Sequence, residues 1–215
     1  MTIQARVVSV NAGRIRPAPY GNSHSRATAI DKHPVSGPVE VGPLGLTGDF
    51  QDHPEHGGVD KAVYAYSRDD AIWWEAELGR PLPPGCFGEN LSTEGLDVTG
   101  AEIGERWRIG STVLEVSEPR IPCRVYAGFW DVPDLVKRFT ARGDPGAYLR
   151  VLAAGQLAAG NAIEVIARPG HGVTIGSAFR ARSGRRELVP SLLTAPQLPT
   201  AWHDWASKIL VAPRR

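Results

Sequence analysis

Short alternating runs fill most of the first two thirds of the chain. Ala5–Val10 is apolar and β-branched, and Val39–Val41 is a second short run closed by Gly42 and Pro43. Lys61–Tyr66 alternates Val63 and Ala65 with Tyr64 and Tyr66, the period of a half-buried strand. Arg106–Val116 predicts a hairpin, because two β-rich runs flank Gly110-Ser111 and put glycine first in a two-residue turn. Tyr148–Leu152 and Ala162–Ala167 are ambiguous by period. Their shortness, their β-branched content and the breaks at Gly155 and Gly160-Asn161 favour strands. Many short strands between turn signals predict a mainly β fold, a barrel or a sandwich.

Two helical patterns interrupt the strands. Ser67 can cap one, with Asp70 three residues on completing a capping box and Gly79 ending it. The second runs from about Pro133 to Arg142, with Val132, Leu135, Val136 and Phe139 at helical spacing and Gly143 as the stop. After Pro169-Gly170 the composition shifts to a helix-like tail broken by Pro190, Pro196 and Pro199. Such a tail is too short for a robust core of its own. The expected organisation is a β domain over 1–169 and a helical appendage, 170–215, packed on it.

Charge and composition narrow the function classes. The 215 residues carry 24 Lys plus Arg against 23 Asp plus Glu, a net charge of +1, so no global field recruits nucleic acid or an anionic membrane. The 24 glycines and 18 prolines announce many turns. No apolar run approaches the ~18 residues of a membrane span. The start, MTIQARVVSVNAG, lacks the charged, apolar and cleavage regions of a secretory signal. Two cysteines cannot build a disulfide framework, so a cytoplasmic protein with reduced thiols is the expectation.

Three segments hold candidate chemistry. Cys123 follows Pro122 in EPRIPCR, between Arg120 and Arg124, and cationic neighbours lower a thiol's pKa; the thiolate is both nucleophile and metal ligand. Cys86 has no basic neighbour and reads as structural. The loop GDFQDHPEHGGVDK allows three readings. His53 and His56, with Asp49, Asp52 or Glu55, have donor types for a metal, although Pro54 denies the histidines a helical face. Gly57 and Gly58 can turn amides toward an anion, with His56 and Lys61 adding charge. The third reading is a solvated turn. In Phe87-Gly-Glu-Asn, Glu89 has the chemistry of an acid/base, and Asn90 can read a planar heterocycle with donor and acceptor together. No P-loop, G-x-G-x-x-G, nucleophile elbow or C-x-x-C is present.

Taken together and in order, GDFQDHPEHGGVDKAVYAY, FGENLSTEGLDV, SEPRIPCR and YLRVLAAGQLAAGNAIEV resemble the MOSC domain, which is shared with the C-terminal part of molybdenum-cofactor sulfurases. The resemblance is strongest to the YiiM-like bacterial branch, and HGVTIGSAF onward is similar to that branch's three-helix appendage. It implies a closed β-barrel with a few peripheral helices and a molybdenum-pterin cofactor whose metal is held by Cys123. It further implies reduction of N-hydroxylated bases or amines, with electrons from a separate redox protein. His56, Gly57, Gly58 and Lys61 match its His-Gly-Gly loop, Glu89 and Asn90 its Gly-Glu-Asn turn, and Arg120 and Cys123 its Arg-x-Pro-Cys turn. Catalytic roles then fall to Cys123, Glu89 and Asn90. The cofactor falls to the His-Gly-Gly residues with Arg120 and Arg124. Asn161 stands where the commonest family wording has aspartate. Pyridoxal phosphate belongs to the sulfurase lyase domain, which this chain lacks, so it would attach only through the family name. A cofactor carrier and a sulfur-transfer module with a persulfide on Cys123 are the alternative functions, and the oligomeric state stays open.

Overall fold

Strand formation follows the alternation, and the tyrosines decide which face is covered by what. The computed structural model describes residues 4–18, 27–50 and 57–212. In chain order it contains β1 (Arg6–Gly13), β2 (Arg16–Pro17), β3 (Ala27–Thr28), β4 (Lys32–Pro34), β5 (Val39–Gly42), β6 (Gly45–Leu46) and β7 (Val63–Ser67). There follow α1 (Arg68–Leu78), β8 (Leu91–Glu94), β9 (Arg106–Ile109), β10 (Thr112–Pro119), α2 (Arg124–Trp130) and α3 (Leu135–Arg142). The chain continues through β11 (Ala147–Ala153), β12 (Gly155–Leu157), β13 (Ile163–Ala167), α4 (Ile175–Arg182), α5 (Val189–Leu192) and α6 (Thr200–Val211).

Eight strands form the main sheet in the order β13-β9-β10-β11-β7-β8-β1-β4, with smaller sheets β12-β5-β6 and β2-β3. The hairpin expected at Arg106–Val116 is β9–β10, and Thr112 pairs with Ile109 across the Gly110-Ser111 turn. Lys61–Tyr66 and Tyr148–Leu152 supply β7 and β11 of the same sheet, while Lys61 itself stays in a one-turn 3-10 helix, Val59–Lys61.

The mainly β, closed-barrel expectation is corrected. Among the described residues no sheet closes, and helices take about 29% against 31% for strands, a mixed α/β protein. The edge of β1 away from β8 explains why. Its C-terminal part, Asn11–Gly13, pairs with β4. Its start meets β13 and the chain before it through an isolated bridge, Arg6 with Ala162, and irregular backbone hydrogen bonds such as Val7 N to Asn161 O at 2.9 Å. A continuous ladder cannot occupy an edge divided in this way, and a bulge between Val7 and Ser9 further interrupts β1.

Two buried clusters meet across the sheet. One is aliphatic; it joins Val7, Leu91, Leu114 and Leu149 to Ile175, Val189, Leu192 and Trp202, so α4–α6 share the core of the strands. The other is aromatic and includes Tyr64, Tyr66, Trp74, Phe87, Tyr126, Trp130 and Phe139. Helix α2, which no sequence pattern announced, buries Tyr126 and Trp130 in that cluster. Burial at i and i+4 outweighs the weak propensity of RVYAGFW. Among the described residues, no helix is long and apolar enough to cross a membrane.

The caps of α1 are partly as expected. Ser67 is the N-cap, but its hydroxyl accepts from Asp69 N, and Gly79 closes the helix at φ 63°. Asp70 turns instead toward Arg142, at 3.7 Å. Burial, reinforced by Asp144 and opposed by Arg142, pushes the Asp70 carboxyl up to about 7 from its ordinary 3.8. The unfolded chain therefore releases this proton first as pH rises. The stabilising contribution is complete below the ordinary carboxylate range and is lost by neutrality. In Asp70→Asn, urea unfolding between pH 4 and 8 should show a shallower loss of stability with pH than in the wild type; parallel curves would refute this assignment.

Candidate functional site

The ends of β10, β11, β7, β8 and β4 lie on one side of the main sheet, and the loops they carry enclose a cleft. Its cavity volume is about 100 Å³, and it opens to solvent at one side. Lys32, Asp49, Phe50, Lys61, Tyr64, Asn90, Arg120, Ile121, Cys123 and Tyr148 are among its lining residues. Lys61, Asn90, Arg120 and Cys123, separate in sequence, are thus brought together. His56 and His53 lie outside the described residues.

Each wall has a local cause. Gly58, at φ 93°, starts the 3-10 turn that delivers Lys61 to the cleft. Neither Gly57 nor Gly58 lines the cleft itself. Lys61 Nζ lies 3.9 Å from Glu118 Oε1, whose other oxygen accepts from Trp202 Nε1 at 2.7 Å, so α6 reaches this wall through one carboxylate. Burial pushes the Glu118 carboxyl up, while the Trp202 hydrogen bond and Lys61 hold it down.

Arg120 is buried, and its guanidinium donates to Phe87 O. Its plane packs over Tyr126 at 4.4 Å and Tyr64 at 5.0 Å from the ring centres. This fixes a permanent cation against the aromatic cluster. Gly88, at φ 73°, backs onto it: a Cβ there would meet Ile30 Cγ1 at 3.0 Å and Arg120 Nη1 at 3.3 Å. Cys123 is the half-buried N-cap residue of α2. Arg124, the next residue, is exposed and is not part of the lining.

The two residues of the Gly-Glu-Asn turn diverge. Glu89 is 2% exposed and does not line the cleft. Its carboxylate accepts from Gly85 N at 2.6 Å, Phe87 N at 3.0 Å and Ser92 Oγ at 2.6 Å. Burial pushes its pKa up, and these donors oppose the rise. The geometry gives Glu89 the work of holding the turn. Asn90 faces the cleft, with Oδ1 accepting from Tyr64 N at 3.0 Å and Nδ2 donating to Asn11 O at 3.2 Å and to Asp49 Oδ2 at 2.8 Å.

Sequence reading passed over Lys32, which pairs with Asp49 in the cleft wall. Nothing local marks it, since its partner lies 17 residues away. In the sequence Asp49 reads only as an oxygen donor to a metal beside His53 and His56. Among the described residues no group of three or more His, Cys, Asp or Glu is placed to hold a metal ion. Cys86 lies against the aromatic cluster, where burial pushes its thiol up, and its carbonyl accepts from Trp130 Nε1 at 2.9 Å.

What the cleft can do follows from its lining. Among the described residues it offers one soft sulfur donor, three cations (Lys32, Lys61 and Arg120) and one carboxylate, with apolar Phe50 and Ile121 half exposed in its lining. That set suits a ligand with a metal centre and an anionic group.

Comparison with known proteins identifies the family. Residues 52–164 match the model of the MOSC domain. The YflK protein of Bacillus subtilis is 35% identical over 175 residues, 81% of this chain and 79% of that protein. A protein of Gibberella moniliformis named "Reductase" is 33% identical over 198 residues, 90% of this chain but only 35% of its own length. The crystal structure of YiiM from Geobacillus stearothermophilus superposes with a TM-score of 0.81 at 29% identity, covering 96% of this chain and all of that one.

Removing the Glu89 carboxylate would strand two buried amides and a hydroxyl. Glu89→Ala should cost on the order of 3 kcal/mol in urea unfolding. A loss within the range of a neutral surface substitution would contradict the positioning role.

Proposed function

The chain belongs to the MOSC domain family, and from that premise we propose that it is a molybdenum-cofactor-dependent reductase of N-hydroxylated bases or amines. MOSC domains are associated with binding of the molybdenum cofactor. The observation that carries the reading is the placement of Cys123 in one cleft with Lys32, Lys61 and Arg120.

The residues present fit such a group. A thiolate is a suitable soft ligand for the metal, and Cys123 supplies it. Lys61 and Arg120 supply charge to the pterin phosphate, with Arg120 as a fixed cation and Lys61 on a flexible stem. When bound, the molybdenum-pterin supplies two-electron redox chemistry. The protein's part is to hold it, to shape the substrate space and to exclude water. Tyr64 and Tyr148, their rings 5.2 Å apart, form an aromatic wall. Asn90 offers an amide edge to a planar base while its own hydrogen bonds keep it in place.

Electrons come from a separate redox protein in this reading. The fungal relative named a reductase supports the activity class. About two thirds of its length lies outside the match. Substrates are small N-hydroxylated molecules; nucleic acid and membranes play no part. The expected compartment is the cytoplasm.

The test compares Cys123→Ser with Cys86→Ser, expressed in a host that makes the cofactor. Reduction of an N-hydroxylated purine with a chemically reduced viologen dye is measured together with molybdenum content. Serine keeps the size of cysteine but is almost never ionised near neutral pH. Cys123→Ser should lose reduction and molybdenum together with the fold intact, and Cys86→Ser should keep both. An active Cys123→Ser protein would remove the thiolate ligand from the proposal. Molybdenum retained by the wild type without any turnover would favour the carrier instead.

A further inference from the structure

The cations of the cleft do not all count alike, because two of them face a carboxylate. Lys32 pairs with Asp49, and Lys61 Nζ lies 3.9 Å from Glu118 Oε1. Arg120 is held by a carbonyl and two tyrosine rings instead. The ionisation of Glu118 therefore decides whether Lys61 adds its charge to the field a ligand meets or has that charge offset.

Glu118 is held from outside the strands. It stands on β10, 7% exposed, and its Oε2 accepts from Trp202 Nε1 of α6 at 2.7 Å. Trp202 is itself buried among the aliphatic residues that join α6 to the sheet. Lys61, at 3.9 Å, is too far for a direct hydrogen bond, so the indole is the close donor to this carboxylate.

Other charged groups complete this wall. Asp60, next to Lys61, pairs with Arg150, and Arg150 also reaches Glu115 at 3.1 Å. The Lys61 ammonium lies 5.9 Å from the centre of the Tyr148 ring. Burial pushes the Glu118 carboxyl up and Asp60 adds to the rise, while Trp202, Lys61 and Arg150 oppose it. The indole thus works against burial, toward the charged form.

Resting on the reading that Lys61 serves the anionic end of the cofactor, we propose that Trp202, acting through Glu118, is a specificity determinant of the cleft. Ionised Glu118 offsets Lys61 and turns away small free dianions, such as sulfate and inorganic phosphate, which bind by charge alone. A ligand that also brings a metal to Cys123 and a ring system to the aromatic wall depends less on that charge. Weakening the attraction that all anions share, while keeping the contacts that one ligand makes, separates it from its competitors. Trp202 is the positioning residue, and the helical appendage thereby takes part in ligand selection.

Sulfate tests this on the full chain without cofactor, because it stays a dianion throughout the working pH range. Its binding is measured by equilibrium dialysis of 35S-sulfate at constant ionic strength. Glu118→Gln keeps an acceptor for the indole and removes the charge. Above the pH at which wild-type Glu118 ionises, Glu118→Gln should bind sulfate about tenfold more tightly than the wild type. Adding Lys61→Met should abolish that gain. Wild-type affinity should step down as rising pH ionises Glu118. The step should be absent in Glu118→Gln and displaced to higher pH in Trp202→Phe, which loses the indole donor.

A second readout does not depend on binding. Among the six tryptophans, the Trp202 indole N–H resonance is assigned by its loss in Trp202→Phe. In the wild type it should shift with the same midpoint as the sulfate step, and in Glu118→Gln it should show no such shift.

Unchanged sulfate affinity in Glu118→Gln would overturn the proposal. So would a gain that survives Lys61→Met, a pH step left in place by Trp202→Phe, or an indole signal blind to Glu118. If Trp202→Phe does not fold, Glu118→Gln and the indole titration still decide. A wild type that takes up no molybdenum in a cofactor-making host would instead sink the reductase reading and leave the sulfate results standing, which distinguishes the two failures.

Discussion

Asn90 sits where three strands would otherwise leave buried backbone groups unmatched. Strand β8 runs parallel to β7 and antiparallel to β1, and the residue just before it must serve both neighbours. Its backbone N–H donates to Tyr64 O at 2.8 Å and its carbonyl accepts from Asn11 N at 2.7 Å. Its side chain then satisfies Tyr64 N and Asn11 O. A buried amide left without such partners costs more than the bond itself returns, so this position leaves little freedom to the chain. The remaining amide hydrogen goes to Asp49, and through Asp49 to Lys32 and Gly13. The polar floor of the cleft is therefore the continuation of the network that joins the strands.

Around that floor, charge is held by rings and helices. Arg120 is clamped between Tyr64 and Tyr126, which ties the segment before Cys123 to β7 and to α2 together. Helix α2 is in turn buried against Trp74, Phe139 and Phe87 through Trp130 and Tyr126. On the other flank, Trp202 of α6 bonds to Glu118 beside Lys61. The helical tail thus belongs to the wall of the cleft as well as to the core. A neutral chain acquires a local basic pocket because these contacts gather three cations that the sequence spreads over nearly ninety residues.

Much of the local structure could be read in advance where one short-range rule decides it. The β9–β10 hairpin needed only a glycine-first turn between alternating runs, and Gly79 and Gly143 stop their helices at positive φ. The family pattern also named Lys61, Asn90, Arg120 and Cys123, and these four line one cleft. Other features depended on distant partners. The open sheet follows from a β1 edge divided between β4 and the chain before β13. Glu89 and Asn90 are adjacent in sequence, yet one faces inward to three donors and the other the cleft. Arg120 and Arg124 both flank Cys123, but only the first is drawn in by tyrosines.

By itself, the sequence determined the strand and turn rhythm, the near-neutral charge, the family and the residue types available for chemistry. Those depend on composition and on spacings of a few residues, which the chain states directly. Tertiary structure alone decided which of those residues share a cavity and which serve the scaffold. It also paired Lys32 with Asp49, residues in different segments whose burial cannot be seen until the strands between them have packed. A side chain's chemistry is written in its type. Whether that chemistry is desolvated, paired or aimed at a ligand depends on neighbours that only the fold supplies.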